Sequence, residues 1–514
     1  MMALAAVVLM VCMGTSDTLK VPEEMMIVMS SARGVMDAYV REVLAMLSTA
    51  TGKGGSPSAP SAAVDVPSSR GEILGAEVMA RCKELGSISD SDVHRERLFL
   101  SPAWERAALL LSEYMEDAGL EVWMDGIGNV HGRSFPDVVA DPNAAAMMLG
   151  SHFDTIIDAG AFDGPLGVIS SIAAAKALLL EREAAGKSIA RPLEIVAFSD
   201  EEGVRFTNAP DIFLSSEALT GSLVPKGGLQ LRDANGVTLS EALREFGIDG
   251  SAEGVSRQAL DPEKVHAFVE LHIEQGPILE AMNVPVGVVT AINGMTGFGV
   301  TIKGKQGHAG TTRMDMRKDS LAAASELILA IEKVCATHEG ALSSMLVCTV
   351  GKLNVEPAVS NVISGNVHFT VDARSSSHTI LTEVVDSLKK LIFEVCARRD
   401  LSCALDKEKP VVPPVYMDEG ISNSLKHAVS KAGAGSDAIW GANVVGGSSP
   451  DRNVVPMLPS GANHDAGMMV AITRVGMLWV RCKDGISHSP LEDVADRDGF
   501  EGAMALFNFL DSEM

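Results

Sequence analysis

The feature that most constrains the fold of this chain is a pair of short, continuous apolar runs on either side of a long apolar segment. The runs are residues 146–150 (AMMLG) and 193–199 (LEIVAFS), and the segment between them, residues 168–180, is rich in Ala, Leu and Ile. Apolar runs of this length, bounded by polar residues, are typical of parallel strands buried on both faces. Because a crossover helix between such strands makes a βαβ unit, we predict an α/β domain with a mostly parallel sheet.

The middle of the chain has a different pattern. Residues 297–303, 347–353 and 367–371 alternate apolar and polar side chains, which predicts half-exposed antiparallel strands. Two amphipathic helices are predicted among them, one capped by Asp319 and one over residues 379–395. Strands and helices in this order predict a ferredoxin-like α+β domain that is inserted into the α/β domain.

Composition along the chain places the domain boundaries. Residues 51–70 are almost all Gly, Ser, Pro and Ala, which is typical of a flexible linker, so residues 1–70 are expected to be a leader and linker. The catalytic α/β domain is expected in residues 71–283 and 401–514. Residues 284–400 are then the inserted domain.

The first residues are apolar and uncharged. Residues 3–13 have about the length of the apolar region of a signal peptide, although no Lys or Arg precedes them. One interpretation is a signal for the endoplasmic reticulum or secretory pathway. The others are an organellar leader that includes Arg33 and Arg41, a start site near Met29, or a cytoplasmic address. No apolar run reaches the ~18 residues that a membrane span needs.

Composition excludes one class of function. The chain has 42 Lys and Arg against 67 Asp and Glu, a formal net charge of −25, whereas a nucleic-acid-binding protein needs clustered cations to neutralise phosphates. The seven cysteines are scattered without a CxxC pair, which indicates neither a disulfide framework nor a zinc finger. We therefore expect buried thiols and no nucleic-acid partner.

Histidines and acids follow several of the predicted strands. His152 and Asp154 come directly after the first apolar run, and Asp163 lies a few residues beyond them. Glu201 and Glu202 follow the second run, where two adjacent carboxylates repel each other and add nothing to packing. Because the carboxyl ends of parallel strands meet at one edge, where ligand sites collect, we expect these side chains to lie close together.

Two further histidines extend this set. His272 ends a predicted strand over residues 265–271, and His488 follows a strand-like segment over residues 475–481. Each is best explained as structural when taken alone, but packing requirements do not explain four strand ends that deliver His, Asp or Glu to one edge. A pair of divalent cations does, since one carboxylate can bridge two metals, another can cap one, and one glutamate remains free as a base.

A series of motifs resembles a known family. The motifs are HFDTIIDAGAFDG, FSDEEGVRF, ELHIEQGP, GKQGHAGT, SNVISG, VDAR, SGANHD and GISHSP, in that order. Together they resemble the M20 peptidase-related amidohydrolases. The resemblance is closest to the allantoate deiminases, beside ureidoglycolate amidohydrolases and N-carbamoyl amino acid hydrolases, and it runs from about residue 99 to residue 510.

The resemblance implies a metal centre with two divalent ions per subunit, manganese in the deiminases and zinc in some relatives. One metal would be held by His152 and His272 and the other by Glu202 and His488, with Asp163 bridging. These residues are the same strand-end side chains that the pattern itself singles out. The motifs thus imply a ligand for every position of a binuclear site.

The resemblance also implies roles for the two remaining acids. Asp154 would orient His152 through the second nitrogen of its ring. Glu201 would be the general base on the attacking water and then the proton donor to the leaving nitrogen. This agrees with the chemistry of the set, because a carboxylate beside a metal-activated water needs only to shuttle its proton.

The same resemblance implies substrate contacts. His308, in a glycine-flanked turn, would donate a hydrogen bond to the oxyanion in the partner subunit's site, which implies a homodimer. Asn361 and Arg374 would hold a substrate carboxylate. The implied substrate-binding residues are Gln275, His308, Asn361, Arg374, Asn463 and His464. Asn463 departs from the glycine common in deiminases and carbamoylases, which leaves the ureide open.

The expected function is hydrolysis of allantoate to ureidoglycine, with release of ammonia and carbon dioxide, in purine and ureide catabolism. The alternatives are hydrolysis of ureidoglycolate or of N-carbamoyl amino acids, and, more remotely, an inactive dimeric ureide-binding scaffold. An exopeptidase is disfavoured, because His272 stands where peptidases of the group tend to carry a carboxylate.

Overall fold

A computed structural model of the chain describes residues 70–206, 213–406, 411–440 and 455–514, with the backbone alone described for residues 433–440. The expectations for the leader, the linker and Cys12 lie outside the described residues. Within the described ranges, no helix combines the length and the apolar character that a membrane crossing requires.

The described part of the chain contains sixteen strands. In chain order they are β1 (Leu120–Met124), β2 (Val130–Ser134), β3 (Ala146–His152), β4 (Leu193–Phe198), β5 (Val265–Ile273), β6 (Val286–Ile292), β7 (Gly294–Lys303), β8 (Gly307–His308), β9 (Val347–Thr349), β10 (Leu353–Glu356), β11 (Val362–Ile363), β12 (Asn366–Ser375), β13 (Ser402–Leu405), β14 (Val415–Tyr416), β15 (Met457–Ser460) and β16 (Val475–Val480).

Helices alternate with these strands. The α-helices after the first short turns are α1 (Val78–Gly86), α2 (Pro102–Asp117), α3 (Pro165–Ala184), α4 (Leu214–Leu219), α5 (Leu239–Glu245), α6 (Ala252–Ser256), α7 (Ile278–Ala281), α8 (Ser320–Thr337), α9 (His378–Arg398), α10 (Glu419–Trp440), α11 (Asp465–Met469) and α12 (Asp496–Glu513). A helical turn (Arg70–Glu72) and a π-helical turn (Ile73–Glu77) lead into α1.

The first sheet has nine strands in the order β1-β2-β4-β3-β5-β16-β6-β14, with β15 beside β6. Its four central strands, β4, β3, β5 and β16, are parallel, and antiparallel strands flank them. All residues of β3, β4 and β16 are buried, as their continuous apolar runs predict. The predicted α/β fold with a mostly parallel sheet is therefore confirmed.

Local sequence signals explain where the helices of this layer begin. α2 begins at Pro102, and Ser101 caps it by accepting a hydrogen bond from the backbone N–H of Trp104. α3 begins at Pro165 and is the predicted crossover between β3 and β4. α3 packs on β3 and β5, and α12 lies between α3 and α10, so the central strands are covered by apolar helices.

The second sheet is antiparallel and has five strands, in the order β10-β12-β7-β13 with β9 beside β12. α8 and α9 pack against it and against each other, burying apolar residues such as Leu327, Ile331 and Leu388. Its elements follow in the order strand, helix, three strands, helix, strand, an α+β unit in which both helices cover one sheet, as expected, with one more strand between the helices than the ferredoxin-like arrangement has. Its use as a lid or dimerisation domain stays a proposal.

The chain changes sheet later than the predicted domain limits of 284 and 400. β6 (VGVVTAI) lies in the first sheet beside β16, and all but one of its residues are buried. β13 lies in the second sheet and pairs with β7, so residues 402–405 form an edge strand of that sheet. The first sheet resumes only at β14.

Four cysteines form disulfides, so the expectation of buried thiols was wrong for them. One disulfide, Cys335–Cys348, joins the last turn of α8 to β9, and the other, Cys396–Cys403, joins the last turn of α9 to β13. Their Cα atoms lie 6.0 and 6.1 Å apart, which suits a disulfide. The distance is short because a helix end lies beside a strand, and the spacing of the cysteines in the sequence does not indicate that contact. Buried thiols are found at Cys82 and Cys482.

Candidate metal centre

The strand ends of the first sheet bring the predicted side chains to one edge. His152 is the last residue of β3, and His272 lies near the end of the neighbouring β5. Glu201 and Glu202 follow the end of β4, and His488 follows β16. The parallel direction of these four strands is what places all of these residues at the same edge.

Asp163 is shared between two candidate metal-binding groups. The first is His152, Asp163 and His272, and the second is Asp163, Glu202 and His488, and within each group the ligand atoms lie within 4.8 Å of one another. A carboxylate common to two such groups has the placement of a metal-bridging ligand.

The two oxygens of Asp163 serve different groups. Oδ1 lies 3.1 Å from Nε2 of His272 and 3.6 Å from Nε2 of His152. Oδ2 lies 3.3 Å from Nε2 of His488, and this nitrogen lies 3.5 Å from Oε2 of Glu202. Each oxygen of the carboxylate therefore faces its own set of donors.

The hydrogen bonds of two histidines leave their Nε2 lone pairs directed at each other. His272 Nδ1 donates to the carbonyl oxygen of Ile273 at 2.9 Å, and His152 Nδ1 lies 3.3 Å from the carbonyl oxygen of Asp154. A carbonyl oxygen only accepts, so each Nδ1 carries a hydrogen. In the neutral ring, the form that binds a metal, each Nε2 keeps its lone pair, whereas the protonated ring donates from Nε2 to Asp163. The two Nε2 atoms are 3.3 Å apart beside a carboxylate, an arrangement that fits a divalent cation.

A glycine makes room for this pair of rings. Gly164, between Asp163 and α3, has a φ of +79°, and a Cβ placed on it would lie 2.5 Å from the imidazole of His152. Any side chain at this position would therefore push the ring away from Asp163. The sequence DGP thus positions the shared carboxylate, the glycine that the ring approaches and the start of the crossover helix.

The acids of the site differ in pKa. Burial would raise the pKa of Asp163, but hydrogen bonds from three histidines outweigh it and hold the pKa well below the ordinary value. Burial raises the pKa of Glu201 well above its ordinary value, with Glu202 adding to the rise and His152 opposing it. Burial and the charge of Asp163 raise the pKa of Glu202 to about 7. Asp163 is therefore the permanent anion, and Glu201 is the acid most disposed to hold a proton.

Asp154 connects the turn after β3 to the turn after β4. Its Oδ1 accepts the backbone N–H of Glu201 at 3.0 Å, and its Oδ2 accepts the backbone N–H of Glu202 at 3.2 Å. The same carboxylate lies 3.3 Å from Nδ1 of His152. One buried side chain therefore orients a histidine and fixes the backbone of both glutamates.

Gln275 and His488 meet at Asp163. The side-chain amide of Gln275 donates to Oδ2 of Asp163 at 2.9 Å and lies 3.5 Å from Nε2 of His488. Both residues have a positive φ, 56° and 55°, a backbone conformation that is uncommon for residues other than glycine. Gln275, expected to bind substrate, thus contacts the shared carboxylate in this structure.

Arg374 and His464 lie together beside the centre. Arg374, on β12 of the second sheet, donates through Nη1 to the carbonyl oxygen of Gly461 at 3.2 Å and through Nε to Asp372 at 3.0 Å. His464 is buried, its ring centroid 4.6 Å from that of His272, and burial together with His272 lowers its pKa well below the ordinary value. Asn463, which is partly buried, lies in the chain between Gly461 and His464.

His308 and Asn361 lie close to each other at the pair of short strands β8 and β11. His308 is exposed on β8 and is paired with Val362 of β11, and the carbonyl oxygen of Asn361 accepts the backbone N–H of Ala309 at 2.9 Å. Among the interactions of the described residues, none joins these two side chains to the metal-binding groups. The structure of one chain therefore brings eleven of the thirteen predicted site residues to one region and leaves these two apart.

Two residues that the sequence did not single out support Asp163. Glu492 accepts the backbone N–H groups of Phe162 and Asp163 at 2.8 and 3.0 Å, and burial together with the charge of Asp163 raises its pKa to about 7. Ser487 donates to Oδ2 of Asp163 at 2.6 Å. Ser487 could have been found as the neighbour of His488, whereas no local pattern marks Glu492.

The chain is similar to characterised proteins over most of its length. The peptidase family M20/M25/M40 matches residues 137–512. An allantoate deiminase of Arabidopsis thaliana is 42% identical over 456 residues, which cover 86% of this chain and 83% of the relative. An N-carbamoyl-L-amino acid amidohydrolase of Geobacillus stearothermophilus is 33% identical over 437 residues, which cover 85% and 98%. A solved amidase of the hydantoinase/carbamoylase family from Burkholderia multivorans has a TM-score of 0.73 at 29% identity, covering 85% of this chain and 97% of that one.

Proposed function

The chain belongs to peptidase family M20/M25/M40, and on that premise we propose that it hydrolyses allantoate at a ureido group, yielding ureidoglycine, ammonia and carbon dioxide. The 42% identity to a plant allantoate deiminase supports this choice of substrate. The observation that carries the proposed chemistry is Asp163, whose two oxygens face two separate groups of ligand atoms. The reaction belongs to purine and ureide catabolism.

The proposed cofactor is a pair of divalent cations, manganese in the first instance and zinc as the alternative. His152 and His272 would hold one cation, and Glu202 and His488 would hold the other. Asp163 would contact both cations. When bound, two cations supply Lewis-acid activation of water and of the ureido carbonyl near neutral pH. The free lone pairs of His152 and His272 and the anionic Asp163 are the donors that such cations need.

Glu201 is the proposed general base and acid. Its backbone is fixed by Asp154, so its carboxylate projects from the same strand end as Glu202. Because its pKa is raised, a proton taken from the attacking water can stay on Glu201 and then pass to the leaving nitrogen. The proposed task of Asp154 is instead to hold the backbone, since both of its oxygens accept backbone hydrogen bonds.

Arg374, Asn463, His464 and Gln275 are proposed to bind the ureide. With Nε and Nη1 of Arg374 bonded to Asp372 and Gly461, Nη2 is the nitrogen that can meet a substrate carboxylate. His464 has a lowered pKa and stays neutral, and its Nδ1 is buried without a hydrogen-bond partner, so it can accept from or donate to a ureido group. Gln275 adjoins both Asp163 and His488.

A homodimer is part of the proposal, because His308 and Asn361 lie apart from the metal-binding groups of their own chain. Two features of the second sheet support a partner there. β10 is an edge strand with mostly exposed residues, and α8 exposes Leu321 and Leu329 at 37% and 68% of their surface. We propose that the second sheet joins two subunits, so that His308 and Asn361 reach the partner subunit's site.

The endoplasmic reticulum or secretory pathway is the proposed location. The two disulfides support it, since disulfides form and persist in oxidising compartments and are rare in the reducing cytosol. Fusing a fluorescent reporter after the first 70 residues, in place of the rest of the chain, tests the address. Cytosolic fluorescence would contradict it.

A second candidate function is hydrolysis of an N-carbamoyl-L-amino acid or of ureidoglycolate. It is favoured by the relative of Geobacillus stearothermophilus, nearly all of whose length is covered. The two candidates are separated by measuring ammonia release from allantoate, ureidoglycolate and N-carbamoyl amino acids, each with added Mn²⁺. We expect the highest kcat/KM for allantoate, and turnover of another ureide without turnover of allantoate would reject that substrate.

A further inference from the structure

The end of β4 is held by three hydrogen bonds that lie outside the metal centre. The backbone N–H of Ser199 donates to Oδ1 of Asn129 at 3.0 Å, and its hydroxyl donates to the carbonyl oxygen of Ile127 at 3.2 Å. The indole N–H of Trp104 donates to the carbonyl oxygen of Ser199 at 3.1 Å. Ser199 directly precedes the acidic segment that contains Glu201, so these bonds fix the backbone from which Glu201 projects.

The orientation of the Asn129 amide is determined by an anion on its other side. Its Nδ2 donates to Oδ2 of Asp125 at 2.9 Å. A carboxylate accepts and does not donate, so the amide nitrogen must face Asp125 and the amide oxygen must face Ser199. Asn129 is fully buried, and its oxygen is therefore committed to the end of β4.

Asp125 is itself held by a buried histidine. Nε2 of His131 lies 3.2 Å from Oδ2 of Asp125, and its Nδ1 lies 3.0 Å from Glu194, a residue of β4. Trp123 stacks on the imidazole with the ring centroids 5.0 Å apart, and Arg133 pairs with Glu194 at 2.9 Å. These contacts leave Asp125 and Asn129 little freedom to change their hydrogen bonds.

A second turn with the same hydrogen bonds shows that the turn itself does not require an asparagine at the position of Asn129. In residues 233–237, Oδ1 of Asp233 accepts the backbone N–H groups of the third and fifth residues, Asn235 and Val237, at 2.9 and 3.0 Å. In residues 125–129, Oδ1 of Asp125 accepts those of the third and fifth residues, Ile127 and Asn129, both at 2.9 Å. The fourth residue of both is a glycine with a positive φ. The fifth residue is Val237 in one turn and Asn129 in the other. The turn therefore closes without an asparagine in this place.

We propose that Asn129 is a positioning residue of the metal centre, holding the end of β4 so that Glu201 and Glu202 stay at the edge shared with Asp163. The proposal rests on the roles proposed above for these two glutamates. Asp154 holds their backbone N–H groups from the side of β3, and Asn129 holds the preceding Ser199 from the side of β2. Without Asn129 the backbone N–H of Ser199 would lose its partner, and the hydroxyl bond to Ile127 and the indole bond from Trp104 would remain on that side.

Asn129→Val tests this role, because valine is the residue that the second turn carries and it fills a similar volume. We expect kcat to fall about 10- to 100-fold with KM changed far less, and Mn²⁺ affinity to weaken by a similar factor. Asn235→Ala, an exposed asparagine of the second turn, is the matched control and should behave as the wild type.

The metal measurement separates this inference from the proposed function. Mn²⁺ affinity, measured by calorimetry on the full chain, requires no substrate, so its loss in Asn129→Val would support the role even if allantoate were not hydrolysed. Wild-type kcat and Mn²⁺ affinity in Asn129→Val would overturn it. A fall in activity of Asn129→Val that only matches a smaller folded fraction, with Mn²⁺ affinity per folded chain unchanged, would also overturn it, because it would indicate packing alone.

Discussion

Oδ1 of Asp154 accepts the backbone N–H of Glu201 at 3.0 Å, so the residue that follows β3 fixes the residue that follows β4. The bond keeps the proposed base at the edge where both candidate metal-binding groups lie. Burial raises the pKa of Glu201 well above its ordinary value, which suits a group that must take up a proton and release it again.

Glu201→Gln should therefore remove turnover and keep the metals. We expect kcat to fall about 10²- to 10⁴-fold, the range for loss of a general acid–base group, because glutamine cannot carry the proton. Metal content should stay at the wild-type value, since Glu201 is not among the ligand atoms. Glu113→Gln, an exposed glutamate of α2, is the control. Activity near the wild type would reject the base assignment.

The sequence predicted the metal-binding edge because that edge depends only on chain direction. His152, Glu202, His272 and His488 each lie at or just after the end of a strand, and the apolar runs predicted parallel, buried strands. Parallel strands share their carboxyl edge, so the convergence of these side chains did not require any side-chain geometry to be known.

Other parts of the fold depend on contacts that no local pattern records. β6 and β13 were assigned to the wrong side of the sheet boundary, because a strand's sheet is decided by its partner and not by its own sequence. Cys335 and Cys348 pair because α8 ends beside β9. Glu492 supports Asp163 from far along the chain.

The proposed sharing of residues between subunits predicts complementation. Glu201→Gln and His308→Ala should each be nearly inactive as homodimers. If His308 acts in the partner subunit's site, mixed dimers contain one site with both residues intact, and an equimolar re-dimerised mixture should regain about a quarter of wild-type activity. Activity in the mixture no higher than the sum of the two variants would place His308 in its own subunit or outside the site.

The stability of the β1–β4 region should depend on pH through His131. Burial would lower its pKa, but hydrogen bonds to Asp125 and Glu194 outweigh it and raise the pKa to about 9, with Arg133 beside Glu194 on the same sheet. A raised pKa stabilises the folded chain fully below the unfolded value of about 6.5, and this stabilisation is lost as pH rises through about 9. It amounts to about 3 kcal/mol.

Denaturant unfolding of His131→Gln and the wild type between pH 6 and pH 10 measures this effect. The difference in the free energy of unfolding should shrink by about 3 kcal/mol as pH rises, because only the wild type loses the charge. His427→Gln, at an exposed histidine of α10, is the control. A constant difference for His131→Gln would contradict the buried ion pair.

The two disulfides should stabilise the second sheet. Each joins a helix end to the strand that follows it, and a disulfide typically contributes about 2–4 kcal/mol. Reduction by a phosphine should lower the melting temperature of the wild type. A variant with serine at positions 335, 348, 396 and 403 should melt at a lower temperature and not respond to reduction. A wild type that is insensitive to the reductant would contradict the pairing.

The number of metal ions per subunit tests the central claim, that Asp163 serves two cations. After loading with Mn²⁺ and removal of free metal, elemental analysis should give two ions per subunit in the wild type and in Asp158→Asn, an exposed control on the same segment. Asp163→Asn should hold fewer than one. A wild type with one ion or none, or an Asp163→Asn variant that keeps two, would contradict the account.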